Sequence, residues 1–174
     1  MSTITIQKIG ITQLQTDAIV NAANERLWAG GGVCGAIFRE AGYDELTAAC
    51  SEIGGCKTGK AVITLGFQLA AKYVIHAVGP VWRGGQNEEP QLLYSAYQQS
   101  LCTAKENGCH SIGFPLISAG IFGYPKDKAW KTAIQACLDF MHDNSDYTID
   151  IVFAVLDDSI LQMGEKTLTE LQIR

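Results

Sequence analysis

Two glycine-bearing stretches hold the residue types that could do chemistry. The first is "AGGGVCGAIFREAG", Ala29 to Gly42, in which Gly30, Gly31 and Gly32 run straight into a helical pattern. The second is "SAGIFG", Ser118 to Gly123, placed between a buried apolar run and Pro125. Each reads as a loop between a strand's carboxyl end and a helix start, the place where open α/β sheets take ligands. Neither glycine run contains Lys or Arg. Backbone N–H groups and the positive helix end can hold an anion without them. Two such loops facing each other would grip two phosphates, which points to a diphosphate. Asn21 and Asn24 precede the first loop, and Cys34 follows it directly.

Other readings of the same glycines fail on context. Gly54–Ala61, "GGCKTGKA", nearly spells a P-loop. Ala61 stands where the magnesium-binding hydroxyl belongs, and the next segment reads as strand, not helix. Gly30, Gly32 and Gly35 fit GxGxxG, but the residues Ala22 to Ala29 separate them from the strand. A dinucleotide fingerprint needs the strand to enter the turn directly. The six cysteines form no CxxC pair, and Cys109-His110 is the lone Cys/His neighbour pair. Neither a zinc site nor a disulfide framework is expected, and no cofactor is implied.

The elements that must position these loops follow from hydrophobic period. Thr3–Gln7 alternates as an edge strand, and Ala18–Val20 is a buried strand run. Val33–Ala41 and Tyr43–Ile53 read as helices, the second stopped by Gly54-Gly55. "KAVITLGF" and "KYVIHAVGP" are β-branched strands, the second ended by Gly79-Pro80. Trp82–Glu89 is a polar loop, and Pro90–Asn107 a long helix with Gly108 after its end. "HSIGFPLIS" is a buried strand, Pro125 opens a helix to His142, "TIDIVFAVL" is a strand, and Asp158–Leu171 closes the chain as a helix. Strands alternate with helices, so the class is α/β, with helices on both faces of a parallel or mixed sheet. One domain over 1–174 is expected. His76 reads as a satisfied buried histidine, Trp82 and Arg83 as loop packing, and His110 and His142 as surface residues.

The blocks "DAIVNAAN", "GGGV" plus helix, "HAVGPVW" and "FPLISAGIFGYP", in this order, resemble the macrodomain family in its bacterial MacroD-like branch. The resemblance implies a three-layer α/β/α sandwich around a six-stranded mixed sheet that binds ADP-ribose. It also implies hydrolysis of O-acetyl-ADP-ribose, or removal of ADP-ribose from acidic side chains. Residue by residue, Asn24 matches the asparagine that contacts the distal ribose and helps place a catalytic water. Asn21 matches the first asparagine of that block, as structural or as ligand-binding. Gly30, Gly31, Gly32 and Val33 match the first diphosphate loop, and Ser118, Ala119, Gly120, Ile121 and Phe122 the second. Phe122 would cover the distal ribose, and Leu156 would pack the adenine.

Two positions depart from the family. Gly10 and Ile11 of "IGIT" match a ligand-binding block of the family, but Gly10 stands where many relatives carry an Asp that accepts a hydrogen bond from the adenine amino group. A lost charged hydrogen bond costs about 1.5–3 kcal/mol. Cys34 stands where the well-studied hydrolases carry an Asp. Three readings of Cys34 stay open: a nucleophile or base, a small filler while Asn24 and a ligand phosphate place the water, or the mark of a noncatalytic ADP-ribose reader. The expected partners are ADP-ribose or a derivative, and an ADP-ribosylated protein. Net charge is −5 with no Lys/Arg cluster, which argues against nucleic acid. Apolar runs are strand-length and the N-terminus lacks a signal peptide's pattern, so no membrane role and a cytoplasmic setting are expected.

Overall fold

The structure, a computed structural model, describes residues 1–173. Six strands form one sheet: β1 (Thr3–Lys8), β2 (Ala18–Ala22), β3 (Ala61–Leu65), β4 (Tyr73–Ala77), β5 (Ser111–Phe114) and β6 (Asp150–Val155). Their spatial order is β1-β6-β5-β2-β4-β3. Every neighbouring pair is parallel except β3 against β4, so the sheet is mixed. Five helices flank it: α1 (Gly32–Ala41), α2 (Tyr43–Ile53), α3 (Glu89–Glu106), α4 (Lys126–Asp143) and α5 (Asp158–Gln172). The three-layer α/β/α sandwich expected from the sequence is present.

Alternation along the strands creates two cores. Ala18 and Val20 of β2 join a core with Leu93, Tyr97, Trp130, Phe140 and Leu168 from α3, α4 and α5. Ile19, pointing the other way, joins Ile37, Phe38, Leu46 and Cys50 from α1 and α2. Central strands are buried on both faces, which is why β2 and β4 are apolar apart from one residue each, Asn21 and His76. No helix among the described residues is long and apolar enough to cross a membrane.

Differences from the sequence reading lie at element ends and in one short turn. "HSIGFPLIS" pairs only over Ser111–Phe114, because Pro115 has no N–H for the ladder. Pro125 caps α4 rather than opening it, with ψ at 128°. A short 3₁₀ turn at Ile11–Gln13, unmarked by any apolar period, joins β1 to β2.

Candidate functional site

β2, β4 and β5 are central neighbours, and their carboxyl ends feed the loops that matter. From β2 the chain passes to α1 on one face; from β4 it passes to α3 on the other. Opposed departures leave a crevice at the strand ends, the switch point where such sheets bind ligands. Here the crevice is a cleft of about 280 Å³, walled by Gly30–Cys34 on one side and by Ser118, Gly120, Ile121 and Phe122 on the other. The two glycine loops do face each other.

The first loop is braced by polar side chains. Asn24 Nδ2 donates to the Trp28 carbonyl at 2.9 Å, and Asn24 Oδ1 accepts from the Trp28 N–H at 3.0 Å. The Cys34 thiol also donates to that carbonyl, with Sγ at 3.6 Å. Gly31 caps α1 without a side-chain hydrogen bond, so the first-turn N–H groups are left for a ligand. Gly35 is required by packing: a Cβ there would lie 2.6 Å from the Gly30 carbonyl oxygen.

The second loop turns at Ser118, whose φ is +67°. Hydrogen bonds from Tyr124 N–H to the Ser118 carbonyl (2.9 Å) and from Gly123 N–H to the Gly120 carbonyl (3.0 Å) hold the turn. Ser118 is buried, lines the cleft, and its hydroxyl has no protein partner. Gly79, after β4, lets it approach: a Cβ there would stand 2.2 Å from Ser118 Oγ. The Trp82 N–H donates to the Phe122 carbonyl at 2.8 Å, and the Trp82 ring packs on Tyr124 at 4.7 Å between centroids. The loop carrying Trp82 is fixed by Glu89. Its carboxylate, 1% exposed, accepts from the N–H groups of Arg83 (2.7 Å), Gly85 (3.0 Å) and Asn87 (2.6 Å). Burial pushes that carboxyl up, but the backbone donors outweigh it and take it down to about 2.

Under Cys34 the sheet carries polar side chains. Asn21 pairs with His76 across β2 and β4. Asn21 Nδ2 lies 3.6 Å from Cys34 Sγ and 3.1 Å from His76 Nδ1. His76 Nε2 lies 3.0 Å from Thr64 Oγ1 and 3.9 Å from Cys50 Sγ. His76 is fully buried, and burial pushes the ring down to about 4, so it is neutral in the fold. Burial, with Cys34 beside it, pushes the Cys50 thiol up to about 11.

The Macro domain family model matches residues 20–133, which includes both loops. The chain belongs to the macrodomain family. A macro domain-containing protein of Chlorobaculum tepidum is 48% identical over 161 residues, covering 92% of each chain. An O-acetyl-ADP-ribose deacetylase of Escherichia fergusonii is 46% identical over 164 residues, again covering 92% of each. The solved Oceanobacillus iheyensis macrodomain with ADP superposes with a TM-score of 0.91 at 35% identity, covering 97% of this chain and 90% of that one.

In this macrodomain ten of the sequence-derived candidates line one cleft: Asn24, Gly30, Gly31, Gly32, Val33, Cys34, Ser118, Gly120, Ile121 and Phe122. Five stand outside its lining. Gly10 caps the 3₁₀ turn, and Ile11 is buried in the α1–α2 core. Asn21 is buried beneath Cys34, Ala119 is buried in the opposite core, and Leu156 is 74% exposed. Gly79 and Pro115–Ile117 also line the cleft. Gly79 sits in the "HAVGP" block, so its sequence signal was the glycine ending a buried strand. No ionisable side chain other than Cys34 lines the cleft among the described residues.

Proposed function

We propose that this protein, as a single domain over 1–174, binds ADP-ribose in the cleft and hydrolyses an ester at the distal ribose. The observation that carries this reading is the opposed pair of backbone loops, with uncapped N–H groups on one side and the Ser118 turn on the other. A diphosphate between them would be held by N–H groups and the α1 dipole, without a cationic side chain. The ADP in the Oceanobacillus neighbour and the deacetylase name of the Escherichia relative support the same ligand class and reaction.

In this reading Gly30–Val33 and Ser118–Phe122 fix the diphosphate, and Phe122 covers the distal ribose. Asn24 keeps one N–H and one lone pair beyond its Trp28 bonds, enough to orient ribose and water. Water attacks the acyl carbon while a ligand phosphate oxygen takes one of its protons; the acyl–oxygen bond then breaks, that proton passes to the departing ribose oxygen, and the products are a carboxylic acid and the free ribose hydroxyl. Cys34 acts as a small neutral filler, because its proton is directed to the Trp28 carbonyl. Gly10 leaves adenine without a carboxylate acceptor, and Leu156 offers it an apolar contact. A cytoplasmic setting and an ADP-ribosylated protein as the wider substrate belong to this proposal.

The lack of a carboxylate or histidine in the lining favours one alternative, a reader that binds ADP-ribose and releases it unchanged. Calorimetry with ADP-ribose, AMP and ribose-5-phosphate, beside turnover of O-acetyl-ADP-ribose, separates the cases. ADP-ribose should bind well above both fragments, and Asn24→Ala should slow turnover. Binding without turnover leaves the reader; no binding of ADP-ribose overturns both.

A further inference from the structure

The polar chain beneath the cleft has a direction, set by what each atom can donate. An amide nitrogen only donates, so Asn21 Nδ2 facing His76 Nδ1 makes that ring nitrogen an acceptor. The ring proton then sits on Nε2 and goes to Thr64 Oγ1 at 3.0 Å, whose own proton goes to the Leu65 carbonyl at 3.1 Å. Asn21 Nδ2 also faces Cys34 Sγ, which makes sulfur the acceptor there and leaves the thiol proton for the Trp28 carbonyl. That carbonyl is the one Asn24 holds. A reversed Asn21 amide would present oxygen to His76 and Cys34. Both would then have to send their protons to Asn21, and the Trp28 carbonyl would lose the thiol.

The observed orientation leaves Asn21 Oδ1 buried without a partner. Such an atom costs about 1–3 kcal/mol, so the amide needs something to hold it. His76 supplies the restraint, since Thr64 fixes the ring's tautomer from the far side.

We infer that His76 is a positioning residue: through the Asn21 amide it directs the Cys34 thiol onto the Trp28 carbonyl, and so sets the loop that carries Asn24. Its consequence for rate rests on the hydrolase reading above; the hydrogen-bond direction does not.

Two variants split the ring's roles. In His76→Asn the side-chain oxygen falls near the position of Nδ1 and keeps an acceptor for Asn21. In His76→Gln the nitrogen falls near Nε2 and keeps the Thr64 contact but not that acceptor. His76→Gln should lower kcat for O-acetyl-ADP-ribose about tenfold, with KM and calorimetric ADP-ribose affinity unchanged. His76→Asn should restore most of kcat. Equal losses in both variants, or none in either, would overturn the inference. Long-range proton–nitrogen NMR at neutral pH reads the ring without turnover. The wild-type protein should show the Nε2–H tautomer. Asn21→Asp, which can only accept, should move the proton to Nδ1 or charge the ring. A wild-type Nδ1–H tautomer, or an unchanged ring in Asn21→Asp, refutes it. If the wild-type protein binds ADP-ribose without turnover, the enzyme reading fails and the tautomer alone decides the positioning claim.

Discussion

Acidification should weaken this fold through a single buried ring. Burial holds His76 at about 4, against an ordinary value of 6.5. Between those values the unfolded chain binds a proton that the folded protein excludes, so stability falls as pH drops through the upper value and levels off near the lower. With that shift, the loss between neutral pH and about pH 5 comes to roughly 2 kcal/mol. Glu89, held at about 2, adds acid lability only at lower pH, as its unfolded carboxyl begins to protonate. The assay is urea unfolding, followed by tryptophan fluorescence, at both pH values for the wild-type protein and for His76→Gln. The variant starts less stable but has no imidazole there to titrate. The wild-type protein should lose about 2 kcal/mol more than the variant across that interval. Parallel losses would show that His76 is not buried neutral, and the polar chain built on it would fall too.

Three further substitutions probe the cleft walls. Gly79→Ala places a methyl 2.2 Å from Ser118 Oγ and 2.5 Å from Ile117 Cγ2. It should cost about 1–3 kcal/mol and weaken ADP-ribose binding more than tenfold by calorimetry, or the Ser118 turn is not held where described. A Cβ at Gly120 would meet open space, with no atom within 4 Å, and Gly120→Val extends from there. Its melting temperature should match the wild type while ADP-ribose affinity falls about tenfold; unchanged affinity would take the second loop out of the binding site. Cys34→Ser keeps a donor for Trp28 and an acceptor for Asn21, so turnover should stay within about threefold. Complete loss of turnover would restore the nucleophile reading of Cys34.

Much of this arrangement was legible because it is written in local patterns. β2 and β4 are apolar but for one residue each, Asn21 and His76, because both their faces are covered. Gly31 and Gly32 stand out because a glycine run before a helix has few other uses. Gly10, Ile11 and Leu156 were reached only through family resemblance, and these three stand apart from the cleft lining. The buried chain was not legible. Asn21, Cys34, Thr64 and His76 lie far apart in sequence, and only strand register brings them together. His76 could be recognised as buried and satisfied, but not by what, since a lone polar residue in an apolar strand carries no mark of its partner. The second loop was legible from its glycines, but the left-handed backbone of Ser118 was not, because a serine with positive φ has no compositional signature.

The Glu89 cage bears on how this surface tolerates change in length. A polar stretch such as Arg83–Glu88, rich in glycine and exposed, would ordinarily be a safe place to splice in a tag or open new termini. Here alternate amides of that stretch converge on one carboxylate, and its first strut reaches the cleft wall through the Trp82 N–H. One added residue would bring the wrong amides to Glu89 and let go of Phe122. The segment that looks most permissive from outside is thus a measured spacer, and its length helps to fix the wall of the cleft.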